Sequence, residues 1–132
     1  GKELLIPEIK VDAEIDVTEV NQRFVKILSH FEPFGPGNMT PVFLTRDLQI
    51  VGDPKTYNGS TTVFKVRKGT QNGNRFDNYS FDCVYYQSPD LDESSRYHLK
   101  TGTKLDIIYS VEENHWNGNT KTQFRIRDLK IN

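Results

Sequence analysis

Asn-Gly pairs between strand-like runs, period-two apolar alternation within those runs, and one helix-like insertion after the third run predict a mainly β fold. The specific expectation is a five-stranded OB-fold barrel with a short helix between strands 3 and 4, preceded by an N-terminal strand and an amphipathic helix.

The elements follow in chain order. Residues 8–16 alternate Ile9, Val11, Ala13 and Ile15 with charged positions, the period of a half-buried strand. Asp16 with Glu19 three residues on resembles a capping box. Val20, Phe24, Ile27, Leu28 and Phe31 then recur at spacings of three and four, which predicts a helix with those side chains on one face. Pro33 and the glycines after it end the helix. No lysine follows those glycines and no strand precedes them, so the segment is a poor phosphate loop. Phe34, Gly35, Pro36, Gly37 and Asn38 read instead as a rigid joint, the prolines stiffening the chain between glycines and Phe34 anchoring it. The division expected is an arm over residues 1–32 and the barrel over 33–132.

Barrel strand 1 opens at Val42-Phe43-Leu44 and runs to about Val51; strands 2 to 5 are read at residues 61–68, 75–86, 104–116 and 120–129. Asn58-Gly59, Asn72-Gly73 and Asn117-Gly118 join strands 1 to 2, 2 to 3 and 4 to 5. Asn-Gly suits hairpin turns whose two central residues both need positive φ. Between strands 3 and 4, Ser88 can cap a helix, Pro89 can start it and Gly102 can close it. An SH3-like barrel is also five-stranded but does not call for that insertion. Alternation places Phe64 and Val66 inside with Lys65 and Arg67 outside. It likewise groups Leu105, Ile107, Tyr109 and Val111 as one apolar row, and Phe124 and Ile126 as inward with Gln123, Arg125 and Arg127 outward. For strand 3 the pattern leaves open whether Phe81, Cys83 and Tyr85 or Asp82, Val84 and Tyr86 face the interior, and a bulge could reconcile the two.

The 132 residues suffice for one domain with its own core. The chain starts at Gly, shows no basic-then-apolar leader and has no uninterrupted run of about 18 apolar residues, so a soluble, cytoplasmic fragment with no membrane partner is expected. Cys83 is the single cysteine, which excludes an internal disulfide and a cysteine metal cluster and reads as a buried structural thiol. Lys plus Arg total 17 against 18 acids, so the chain as a whole is no polycation. Residues 1–60 hold 6 basic and 9 acidic side chains and residues 61–132 hold 11 and 9, so the mild positive excess lies in the second half.

Catalysis finds little support in these residues. His30, His98 and His115 lie on separate elements, neither HExxH nor Gly-x-Ser-x-Gly occurs, and the neighbours Asp92-Glu93 and Glu112-Glu113 would point to opposite sides of a strand. No catalytic or metal-ligating residue is expected here, and no cofactor. A binding face is better supported. Lys65 and Arg67 on strand 2, Lys121, Arg125 and Arg127 on strand 5, and Trp116 beside the Asn117-Gly118 turn fall where OB barrels take oligonucleotides. Cations that track phosphates and a ring that can stack on any base suit single strands. Trp116 could equally close the barrel end as core, and the cations could simply be solvated.

The stretches Glu-Pro-Phe-Gly-Pro-Gly-Asn (32–38), Phe-Asp-Cys-Val-Tyr-Tyr (81–86) and Asn-His-Trp-Asn-Gly-Asn (114–119), the last followed by Phe-Arg-Ile-Arg-Asp (124–128), resemble the C-terminal OB-fold region of the RecJ single-strand-specific exonucleases. The resemblance extends from the residue 11–16 strand to Leu129. It departs at Met39-Thr40, where a proline is usual, and at Val63, where a histidine is common. The resemblance implies membership of a DHH phosphoesterase that degrades single-stranded DNA 5′ to 3′ in recombination and repair. It also implies manganese or magnesium held by an upstream Asp-His-His motif that is absent here. This segment would then be a non-catalytic grip on single-stranded DNA joined to the nuclease core. The alternative is a structural or protein-interaction module that completes the nuclease ring or docks a partner such as single-strand-binding protein.

Overall fold

The computed structural model describes residues 9–32, 40–69, 79–87 and 99–132. They form β1 (Ala13–Glu14), a 3-10 turn (Val17–Glu19), α1 (Gln22–Ser29), β2 (Phe43–Tyr57), β3 (Thr61–Lys68), β4 (Phe81–Tyr86), β5 (Lys104–Trp116) and β6 (Asn119–Ile131). Strands β2 to β6 hydrogen-bond in the order β2-β3-β4-β6-β5, and β5 pairs back onto β2 to close the ring. Every neighbour is antiparallel except β4 and β6, which run parallel. This is the OB order, with β2 to β6 as the five barrel strands, and closure leaves little unpaired edge. No helix among the described residues is long and apolar enough to cross a membrane.

The alternation over residues 8–16 becomes a strand of only two residues, both exposed, and it pairs parallel to β2 at Phe43 and Leu44. The reason is space: β3 pairs with β2 only from Leu48 onward, so a short stretch of β2 edge is left for β1 to cover. The single expected helix is two elements. Asp16 does make the capping box, but for the 3-10 turn; Val20 then leaves helical geometry, and Asn21 caps α1 by accepting from the Phe24 N–H at 2.9 Å. The break resets the inward face to Phe24, Val25 and Leu28, and leaves Ile27 and Phe31 more than half exposed.

β2 continues past Val51 to Tyr57 because a bulge carries it. Val51 opposes Lys65 and Lys55 opposes Val63, so two extra residues are absorbed where Gly52 takes φ +72. Asn58 and Gly59 have φ of +54 and +70, and Asn117 and Gly118 have +47 and +77, as Asn-Gly hairpin turns require. The Asn72-Gly73 turn, residues 88–98 of the helix expected between Ser88 and Gly102, and the joint at Phe34, Gly35, Pro36, Gly37 and Asn38 lie outside the described residues.

The core fills the barrel. Leu48, Ile50, Phe64, Val66, Leu105, Ile107 and Phe124 are almost fully shielded, and Val17 and Val20 from the arm join the same cluster. Tyr109 stacks on Phe124 at 4.3 Å between ring centroids, and Phe81 stacks on the same ring at 5.2 Å. The buried Tyr109 hydroxyl has its partner in Thr45 Oγ1 at 2.8 Å; Thr45 in turn donates to the Ile15 carbonyl at 2.9 Å, tying the arm to the barrel. For β4 the structure resolves the open choice: Cys83 is in the core with Phe81 and Tyr85 against it. No bulge intervenes, since β3 and β4 pair without a break from Thr61–Tyr86 to Val66–Phe81.

Candidate nucleic-acid interface

Cross-strand partners in a sheet share a face, so the pairing register defines the outer surface of β2, β3, β4 and β6 as rows. One row is Tyr57, Thr61 and Tyr86. The next is Lys55, Val63, Val84 and Arg125. A third runs Val51, Lys65, Asp82, Gln123 and Glu112. Val63 and the buried Val84 make an apolar floor, with the exposed rings of Tyr57 and Tyr86 along one side.

Three of the expected cations meet here although they come from distant parts of the chain. Lys121 Nζ lies 2.8 Å from Asp82 Oδ2, and Lys65 Nζ lies 3.5 Å from Asp82 Oδ1. Arg125 sits with its guanidinium carbon 5.2 Å from the Tyr86 ring centre, and one nitrogen 3.6 Å from Glu112 Oε1. Glu112 Oε2 also accepts from Gln123 Nε2 at 3.1 Å. The lysine side chains remain 57 and 67 % exposed, so their ammonium groups stay within reach of solvent.

The other expected residues are placed differently. Arg67 continues the outer side of β3, opposite Gln49, but it is half-buried and its Nε is shielded from solvent with no hydrogen-bond partner. Arg127 is the extra residue of a β6 bulge, between Ile126 opposite Tyr109 and Asp128 opposite Ile108, and its Nε donates to Ser110 Oγ at 3.1 Å. Trp116 pairs with Asn119 across the Asn117-Gly118 turn; its side chain lies outside what is described. Beside it, His115 Nδ1 and Thr120 Oγ1 are 3.0 Å apart.

Sequence reasoning missed Lys55, Tyr57 and Tyr86 as members of this face. Their signal was strand parity: Tyr86 alternates with Asp82 and Val84, and Lys55 and Tyr57 share the parity of Val51, since the bulge after Val51 adds two residues. What hides the phase is the one-residue bulge between Thr45 and Leu48, which switches the inward set of β2 from Phe43 and Thr45 to Leu48 and Ile50.

Three ionisable groups in or beside the core are shifted upward by burial. Burial pushes the Cys83 thiol well up, with the Asp82 charge adding to it, so it stays protonated. Burial also raises Tyr109. Asp128 is raised by burial, in spite of a backbone hydrogen bond from Leu129. Among the described residues no three His, Cys, Asp or Glu side chains converge as a metal site requires.

The RecJ OB domain family model matches residues 11–128. The single-stranded-DNA-specific exonuclease RecJ of Bacillus subtilis (strain 168) is 23 % identical over 130 residues, which is 98 % of this chain and 15 % of that protein. The fold is similar to that of RecJ from Thermus thermophilus, solved in complex with Mn2+ (TM-score 0.53) and with Mg2+ (TM-score 0.52). Each is 20 % identical; the match covers 82 % of this chain and 13 % and 14 % of those chains. The chain therefore spans only a small part of the length of the relatives it matches. With nearly its whole length matched by the family and its strands in the OB order, the chain belongs to the RecJ OB domain family.

Proposed function

We propose that the outer face of β3, β4 and β6 binds single-stranded DNA, as a non-catalytic grip within a RecJ-like 5′-to-3′ exonuclease. One observation carries the reading: the fold brings Lys65, Lys121 and Arg125 around β4 beside an exposed Tyr86. Cations follow the phosphates while Tyr86 and Tyr57 offer ring faces to unpaired bases, a mixture tolerant of sequence. Trp116 at the hairpin tip stays a candidate for the same role. Residues 1–32 would serve as the arm toward the nuclease core, and manganese or magnesium would be held by that core.

A second reading, a scaffold or docking module, is favoured by the exposed Ile27 on α1 and the exposed Phe31 just after it. Reversing charge at Arg125 and Arg127 separates the two. If the outer face grips DNA, Arg125→Glu with Arg127→Glu weakens oligo-dT binding at least about tenfold in fluorescence anisotropy at low salt. Unchanged affinity, with thermal unfolding also unchanged, would favour the scaffold.

A further inference from the structure

We propose that Asp82 is a built-in competitor for the DNA phosphates, setting the affinity of this face below what its cations alone would give. The inference rests on the DNA-binding reading above. Asp82 occupies the middle strand of the face, its side chain only 21 % exposed, and each carboxylate oxygen holds a different lysine: Oδ1 holds Lys65 from β3 and Oδ2 holds Lys121 from β6. Anionic oxygens are what a phosphate would offer the same two ammonium groups. A strand can engage both lysines only by taking them from Asp82. It then leaves a largely covered carboxylate with less compensation than before. The exchange is feasible because both lysine side chains are more than half exposed, where ion pairs are weak. Glu112 sets a similar opposition to Arg125 at 3.6 Å. Such a face captures and releases a strand readily, which suits DNA that must move past it.

The test is titration of fluorescein-labelled oligo-dT at low salt with the 132-residue chain and its variants. Asp82→Asn keeps the shape and removes the charge, and should bind roughly three- to tenfold tighter than the parent. Glu14→Gln, which removes one negative charge on β1 beside Arg46, should change affinity less than about twofold, showing that net charge alone is not the cause. In a Lys65→Met, Lys121→Met background the gain from Asp82→Asn should vanish. Asp82→Ser provides the same comparison if the asparagine variant fails to fold. If the double lysine variant weakens binding but neutralising Asp82 leaves it unchanged or weaker, Asp82 positions the lysines and the competitor role is overturned while the DNA face stands. If the folded parent and Asp82→Asn both fail to bind at low salt, the DNA face falls and this role with it.

Discussion

Asp16 shows how one residue can be half legible. Its capping box with Glu19 follows from spacing alone, and the structure has both halves: Asp16 N donates to Glu19 Oε2 at 2.7 Å, and Thr18 N donates to Asp16 Oδ1 at 2.9 Å. The Lys68 ammonium, 3.0 Å from Asp16 Oδ2, is fifty-two positions away and could not have been read. Burial would raise this carboxyl, but the backbone and hydroxyl of Thr18 and the charge of Lys68 outweigh it and hold it below its usual value. A folded pKa below the unfolded one means that the contribution is present above the unfolded pKa and is lost as pH falls through the folded one. Asp16→Ala should therefore cost about 1 kcal/mol at pH 7 in urea unfolding. The gap from the parent should shrink as pH is lowered toward about 3. Asp128 has the opposite sign: burial raises it, so its charged form weighs against the fold at neutral pH.

Among the elements, β3 and β5 have the bounds that alternation and Asn-Gly punctuation indicate, because each is continuous and fully paired. The elements that escaped sequence reading are those interrupted by geometry. β2 holds two bulges, and the first is fixed by contacts remote in sequence: Asp47 takes φ +61, its N–H donates to Asp106 Oδ1 at 3.0 Å, and its carbonyl accepts from the Gly69 N–H at 2.7 Å. Nothing near Asp47 announces this, since its partners come from β5 and the end of β3. The same crowding explains Gly69. A β-carbon there would stand 2.7 Å from Asp47 Oδ1 and 3.0 Å from its carbonyl oxygen. Gly69→Ala should therefore destabilise the domain by about 1–3 kcal/mol through overpacking, measured by denaturant unfolding. Gly52 has open space around it and only a positive φ to satisfy, so alanine there should cost less.

At the scale of the whole molecule, the formal charge of −1 describes none of its faces. Lys55, Lys65, Lys121 and Arg125 gather on the outer side of β2, β3 and β6, with Asp82 and Glu112 as the carboxylates beside them. Ring closure creates this concentration, since β3 and β6 are separated by fifty residues and meet only through β4. Clusters of cations were visible in the sequence, but not that Asp82 would stand between two of them. The salt dependence of binding follows from that arrangement. A single strand that engages three or four of these cations releases about 0.7 counterion per contact, giving a slope of roughly −2 to −3 in log affinity against log salt. Anisotropy titrations with oligo-dT across a tenfold range of NaCl measure that slope directly. A slope near zero would mean that binding, if present, is carried by stacking alone, whereas a slope much steeper than about −3 would bring in cations beyond this face, Arg67 and Lys68 on β3 first among them.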